Sequence, residues 1–202
     1  METLIINFHY IRNKKNKYDG IHPVSINQFN KILAKLKREK YNFISPKDFM
    51  TPDINHKKKH VMLTFDDGLK DHFRIIKILE KYKIKGLFFI CSKPFKNKAL
   101  DVHLIHYIRS ITSSKYLFEF LLKKFPKQIK ILEKQKKKIC KFYTYDTEKN
   151  AIIKYFFNFD LKKKILEKVI AELFKTKKLS TKKFLQKTYM NEKDLKILMK
   201  NG

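Results

Sequence analysis

His60-Val61-Met62-Leu63-Thr64-Phe65-Asp66-Asp67-Gly68 is the stretch on which the reading of this chain turns. A short apolar run of this length is the profile of a strand buried on both faces, as the middle of a parallel sheet requires. Two aspartates and a glycine then end it. Phe73, Ile76, Leu79 and Tyr82 follow at helical spacing, with charges on the opposite side. Lys85-Gly86-Leu87-Phe88-Phe89-Ile90 reads as the next strand. Strand, loop, helix and strand within about thirty residues make a βαβ unit, and hence a parallel sheet.

Upstream, Thr3-Leu4-Ile5-Ile6-Asn7-Phe8-His9-Tyr10-Ile11 is rich in β-branched and aromatic residues and reads as a first strand. A polar loop covers 12–23, with a turn near Asp19-Gly20. Ser25 is placed to cap a helix whose apolar positions are Ile26, Phe29, Ile32, Leu33 and Leu36. Phe43-Ile44 reads as a short strand, Ser45-Pro46 opens a brief helix towards Met50, and 51–59 is a polar connection. From Ser92 onward the pattern is helical and lysine-rich, as in Leu161, Ile165, Val169, Ile170 and Leu173, with no clean strand. A last helix spans 190–199, with Asn191 as its cap and Leu195 and Leu198 on the buried side. The expected division is therefore 1–91, an α/β part, and 92–202, a mainly helical part.

Lysine and arginine number 48 against 19 acidic residues, a net charge of +29, so the surface should attract polyanions. The arginines are only Arg12, Arg38, Arg74 and Arg109. Bidentate reading of bases and phosphates favours arginine, and no nucleic-acid motif accompanies the charge, so no specific nucleic-acid partner is expected. Weak attachment to anionic surfaces is the partner class the lysines allow. Cys91 and Cys140 are too few for a disulfide framework. Neither a secretory leader nor an apolar run long enough to span a bilayer is visible, which makes the cytoplasm, or the inner face of the membrane, the expected location.

The adjacent carboxylates carry the chemistry. Ligands in α/β folds bind beyond the C-terminal ends of parallel strands, where Asp66 and Asp67 fall. Two neighbouring carboxylates repel, so a cation, a helix N-terminus or a basic group must hold them. One would serve a divalent metal and the other proton transfer from metal-bound water. A capping aspartate beside a solvated one is the plainer alternative. Gly68 permits a tight turn and the close approach of a ligand. His9, at the end of the first strand, faces the same cleft or serves structurally.

Val61-Met62-Leu63-Thr64-Phe65-Asp66-Asp67-Gly68 resembles the first signature of the NodB-type polysaccharide deacetylases, carbohydrate esterase family 4. Phe8-His9-Tyr10, Ile21-His22-Pro23-Val24-Ser25 with Phe29, and 84–90 resemble that family in order and spacing, covering roughly 1–91. Leu100-Asp101-Val102-His103-Leu104-Ile105-His106 and Tyr189-Met190-Asn191 resemble a helical insertion of a bacterial subgroup. The resemblance implies the N-terminal part of a distorted (β/α) barrel plus that insertion at 92–202. It also implies hydrolysis of N- or O-acetyl groups on carbohydrate, Asp66 as general base, Asp67 as metal ligand, and a divalent metal, usually zinc. The substrate partner would be an acetylated carbohydrate.

The family takes its other two metal ligands from a later H-x-x-x-H motif, and no such pair follows the aspartates here. Downstream lie His72, His103 and His106, of which His103-x-x-His106 could share a metal across one helical turn or simply pack. In the subgroup, the helix resembling 191–202 leads into a strand and then the metal-binding histidines. The chain is thus expected to be C-terminally truncated, with half a metal site, impaired activity and open strand edges. Two further functions stay open at this point: a lysine-rich module for anionic surfaces or nucleic acid, and a non-catalytic half completed by a separate C-terminal chain.

Overall fold

The computed structural model describes residues 3–13, 18, 20–50 and 57–201. Asp19 of the expected turn and 51–56 of the expected polar connection lie outside them. In chain order the elements are β1 Thr3–Phe8, α1 Ile26–Arg38, β2 Asn42–Phe43, α2 Pro46–Phe49, β3 His60–Phe65, α3 Lys70–Arg74, α4 Ile76–Tyr82 and β4 Leu87–Phe88. Then come α5 Asp101–Ile111, α6 Ser114–Lys124, α7 Pro126–Lys134, α8 Lys136–Phe142, α9 Glu148–Tyr155, α10 Lys163–Thr176, α11 Thr181–Thr188 and α12 Glu192–Asn201. Two compact units divide the chain. The α/β unit comprises Met1–Lys14, His22–Ala99 and Thr181–Gly202, and the helical unit Lys15–Ile21 and Leu100–Ser180. Set against the expected division after residue 91, the α/β unit also takes in α11 and α12.

All six residues of β3 are buried, as its apolar run predicts. β1 pairs with it in parallel along its whole length, from Thr3 opposite His60 to Phe8 opposite Phe65. A strand has two edges, so β2 and β4 share the other, β2 beside His60 and Val61 and β4 beside Thr64 and Phe65, both parallel. The sheet is thus four-stranded and parallel, as the βαβ reading of the sequence expects. β1 and β4 are shorter than their apolar runs, 3–11 and 85–90, because pairing with β3 stops at Phe8 and Phe88.

Ser25 accepts a hydrogen bond from Gln28 N, and the Gln28 side chain accepts one from Ser25 N, so α1 starts on a reciprocal capping box. α1 then buries Phe29, Leu33 and Leu36 against the sheet core of Phe8, Val61, Leu63 and Phe65. The single helix expected over Phe73 to Tyr82 is two. Ile75 N donates to His72 O at 3.3 Å, a tight three-residue step, and Ile75 is fully buried at the break between α3 and α4. The helices leading back to the sheet end alike. Lys40 and Lys83 are left-handed (φ 61° and 54°), and Tyr41 and Ile84 donate backbone N–H five residues back, to Leu36 and Leu79.

α11 and α12 close this unit. Asn191 and Asp194 cap α12 reciprocally at 2.9 and 3.0 Å, and Leu198 and Met190 bury against Ile76, with Leu195, Phe73 and Phe88 packed around them. The helical unit contains no named strand among the described residues, in keeping with its sequence. Gly20 backs onto α5 so closely that a Cβ would lie 2.1 Å from Ser110 N, which only glycine allows. No helix among the described residues is long and apolar enough to cross a membrane.

Phe65 stacks on Phe88 at 4.6 Å and on Phe8 at 5.7 Å, so its ring has no room to move. A Cβ on Gly86 would sit 2.6 Å from Phe65 Cε2. Gly86→Ala is therefore expected to cost about 1–3 kcal/mol, read as a lowered urea midpoint at unchanged m-value; an unshifted midpoint would show that the ring yields.

Candidate active site

A parallel sheet delivers the C-terminal ends of its strands to one side. The ladder continues one step past the strands, with Asp66 N donating to Phe8 O at 3.0 Å and Phe89 N to Phe65 O at 2.8 Å. Side chains alternate between faces, so Asn7 and His9 project opposite to Phe8, and Thr64 and Asp66 opposite to Phe65. The phenylalanines enter the core and the polar set gathers on the other face. Thr64 Oγ1 donates to Asn7 Oδ1 at 3.0 Å, and Asn7 Nδ2 donates to Asp66 Oδ2 at 2.8 Å. Asn7 therefore fixes the Asp66 carboxylate.

Asp67 and Gly68 are both left-handed, with φ of 75° and 64°. Such a conformation costs a non-glycine residue on the order of 1–3 kcal/mol, and aspartate is among those that tolerate it best. The turn aims Asp67 away from β3 and brings it to His9, whose Nδ1 lies 3.0 Å from Asp67 Oδ2. His9 Nε2 stands 3.9 Å from Asp66 Oδ2, so one half-exposed imidazole faces both carboxylates. Cys91, just beyond β4, donates its thiol to Asp67 Oδ1 at 3.8 Å. Burial, and after it the Asp67 charge, push the Cys91 thiol above its ordinary pKa, so it stays protonated as a donor. Gly68 O accepts Met190 N at 2.9 Å, and Tyr189 bridges Leu69, so the segment before α12 braces the turn.

Two neighbours on α3 fasten the chain after β1. His72, fully buried beside the stacked rings of Phe65 and Phe88, approaches His9 O with Nε2 at 2.7 Å. A carbonyl oxygen only accepts, so that nitrogen carries the proton. Burial pushes the His72 pKa down, keeping the ring neutral. Asp71, equally buried, accepts Ile11 N at 3.1 Å and Arg12 Nε at 2.6 Å, with Arg74 at 3.6 Å from its other oxygen. His9 thus hangs from a clamped loop.

Of the residues marked by sequence, Asp66, Asp67 and His9 come together. His103 and His106, with ring centroids 6.3 Å apart, lie on α5 in the helical unit, and His103 is buried. One histidine pair does have four-residue spacing, His56 and His60, but it precedes the aspartates. His60 begins β3, about 20 Å of strand from its far end, and His56 lies outside the described residues. Asn7, Cys91, Asp71 and His72 were not singled out beforehand. Asn7 had a legible sign, a lone amide inside an apolar strand.

Among the described residues no group of three or more His, Cys, Asp and Glu is arranged to hold a metal ion. The contacts of Asp67 with His9 and Cys91 are hydrogen bonds between protein groups and form no shell around a cation. These residues do not fit the complete metal site the resemblance implies.

Residues 53–140 match the family model described as polysaccharide deacetylase. Over that span, less than half of the chain, it is similar to polysaccharide deacetylases. Three solved structures are similar in part. A de-N-acetylase from Aggregatibacter actinomycetemcomitans is 21% identical over 46% of this chain and 39% of its own, with a TM-score of 0.40. IcaB from Ammonifex degensii is 22% identical over 59% of this chain and 48% of its own, with a TM-score of 0.42. The Streptococcus pyogenes deacetylase PplD, in complex with acetate, is 20% identical over 62% of this chain and 70% of its own, with a TM-score of 0.42. The chain thus spans less than half the length of the first two. No curated protein sequence matches it.

His72 gives the site a pH signature. Its folded pKa lies below the unfolded value of about 6.5, so the unfolded chain binds the extra proton first. The stability it confers is complete above that pH and is lost as pH falls towards the folded pKa. Unfolding free energies from urea titrations taken from pH 7.5 down to 5 should decline by up to about 1.4 kcal/mol per pH unit from this group. His72→Gln, which keeps a donor for His9 O, should flatten that decline; equal slopes in both proteins would exclude His72 as its source.

Proposed function

We propose that this chain presents the aspartate-bearing part of a site that hydrolyses an N- or O-acetyl group on an acetylated carbohydrate. What supports the reading is the meeting of Asp66, Asp67 and His9 at the ends of two paired parallel strands, within a chain whose residues 53–140 match the polysaccharide deacetylase family model. Asp66 is the general base. Its carboxylate is partly exposed, anchored on one oxygen by Asn7, and placed to take a proton from an attacking water. His9 is the proton carrier beside it: with its Nδ1–H donated to Asp67, Nε2 faces Asp66, from which it takes the proton removed from water and passes it to the departing nitrogen or oxygen. Asp67 is the residue we assign to a divalent metal, zinc by family resemblance. One carboxylate is a poor donor set, so weak zinc affinity and low activity are expected of this chain alone.

Two measurements test this. Release of acetate from chitotetraose and from acetylated xylan, followed with and without added zinc, should be slow and should fall about 100- to 10,000-fold in Asp66→Asn; a variant as active as the parent would end the assignment of the base. Calorimetric zinc titration should show weak one-to-one binding that Asp67→Ala removes. If Asp67→Ala binds zinc as the parent does, the metal role of Asp67 is wrong.

A further inference from the structure

The row of side chains at the strand ends does not stop at His9 and Asp66. The parallel pairings set Asn7 beside Thr64 and Thr64 beside Leu87, then Phe8 beside Phe65 and Phe65 beside Phe88. The bonds from Asp66 N to Phe8 O and from Phe89 N to Phe65 O carry both ladders one step further. His9, Asp66 and Phe89 therefore stand side by side across three strand ends. Phe88 stacks on Phe65 in the core, so alternation turns Phe89 to the opposite face, the one that holds Asn7, His9, Thr64 and Asp66. Cys91, two residues further, has the same facing, because its thiol reaches Asp67. Ile90 lies against the turn, with Cγ2 3.3 Å from where a Cβ on Gly68 would be. The backbone at Phe89 is thus held on both sides, by Phe65 O and by this contact.

Phe89 is nevertheless 52% exposed. A single phenylalanine at a surface needs no explanation by itself. This one borders the carboxylate assigned as general base, where an open aromatic ring has a chemical use. An acetyl methyl group is small and is best held in an enclosed pocket, which a half-exposed ring is not. A pyranose matches it better. The C–H bonds of a sugar ring give it a flat, apolar, weakly electropositive face, and the face of a phenyl ring is its electronegative side. A phenyl group also stays neutral and makes no strong hydrogen bond, so it orients a sugar without competing with Asp66 for water or with His9 for a proton.

From the position of this exposed ring in register with Asp66 and on its face of the sheet, we infer that Phe89 is a carbohydrate-stacking platform. Its ring takes the apolar face of the pyranose whose acetyl group is presented to Asp66. The choice of ligand rests on the carbohydrate-deacetylase reading, but the inference concerns binding and not hydrolysis.

The test titrates the full chain with chitotetraose by calorimetry. Weak, saturable binding is expected, kept in Phe89→Tyr and weakened about tenfold in both Phe89→Ala and Phe89→Leu, because leucine restores apolar volume without a flat face. Phe142→Ala, which truncates an exposed phenylalanine of the helical unit, should bind as the parent does. Since the Phe89 side chain is half exposed, its variants should melt close to the parent, so that lost affinity is not lost fold. The chain has no tryptophan, so Phe89→Trp supplies a single indole at the site, whose emission should shift and saturate as chitotetraose is added. Absence of saturable binding, Phe89→Leu binding as the parent does, or Phe142→Ala losing as much as Phe89→Ala overturns the inference. Acetate release that depends on Asp66, with binding indifferent to Phe89→Leu, removes the platform and keeps the hydrolytic reading. Binding that depends on the Phe89 ring, with no release that depends on Asp66, does the reverse.

Discussion

β1 lies hydrogen-bonded to β3 along its whole length, with Thr3 opposite His60 and Phe8 opposite Phe65. Because side chains alternate, a slip of one residue would carry Asn7 and His9 to the core face and expel Phe8. The register is defended by the rings of Phe8, Phe29 and Phe65, packed at 5.1–6.4 Å, and by the exclusion of water from all of β3. Asn7 reaches Asp66, and His9 reaches Asp67, only while that pairing holds.

Hydrogen-bond donors meet both carboxylates of the site: the Asn7 amide reaches Asp66, and the His9 imidazole and the protonated Cys91 thiol reach Asp67. Arg12 and Arg74 serve the buried Asp71, which fastens the loop after β1. The left-handed turn at Asp67 persists because its surroundings over-determine it, with Met190 bonded to Gly68 on one side and Cys91 against the carboxylate on the other.

So high a lysine content is compatible with a packed fold because the ammonium groups stay at the surface while several lie over aromatic rings. Lys37 sits 4.6 Å from the Tyr82 ring, Lys59 5.4 Å from Tyr41 and Lys177 3.8 Å from Tyr116. Arginine takes the partly buried position beside Asp71, at Arg12, and the buried one in the helical unit, at Arg109, while Arg38 and Arg74 are exposed.

Apolar periodicity made β3, α1 and the helical run beyond Ser92 legible, because burial of one face is a local property of spacing. Asp66 and Asp67 were legible as well, since two charges straight after a buried strand have few structural uses. What escaped the linear chain depends on distance in space. The break at Ile75, the return of 181–202 to the first unit, and the meeting of His9, Asn7, His72 and Cys91 across separations of 24 to 63 residues are decided by packing. Sequence by itself determined a parallel α/β unit with a carboxylate pair at a strand end, because strand burial and charge placement are written in consecutive residues. Tertiary structure alone decided which partners those carboxylates have, because hydrogen bonds between strand ends exist only once the sheet has brought the ends together.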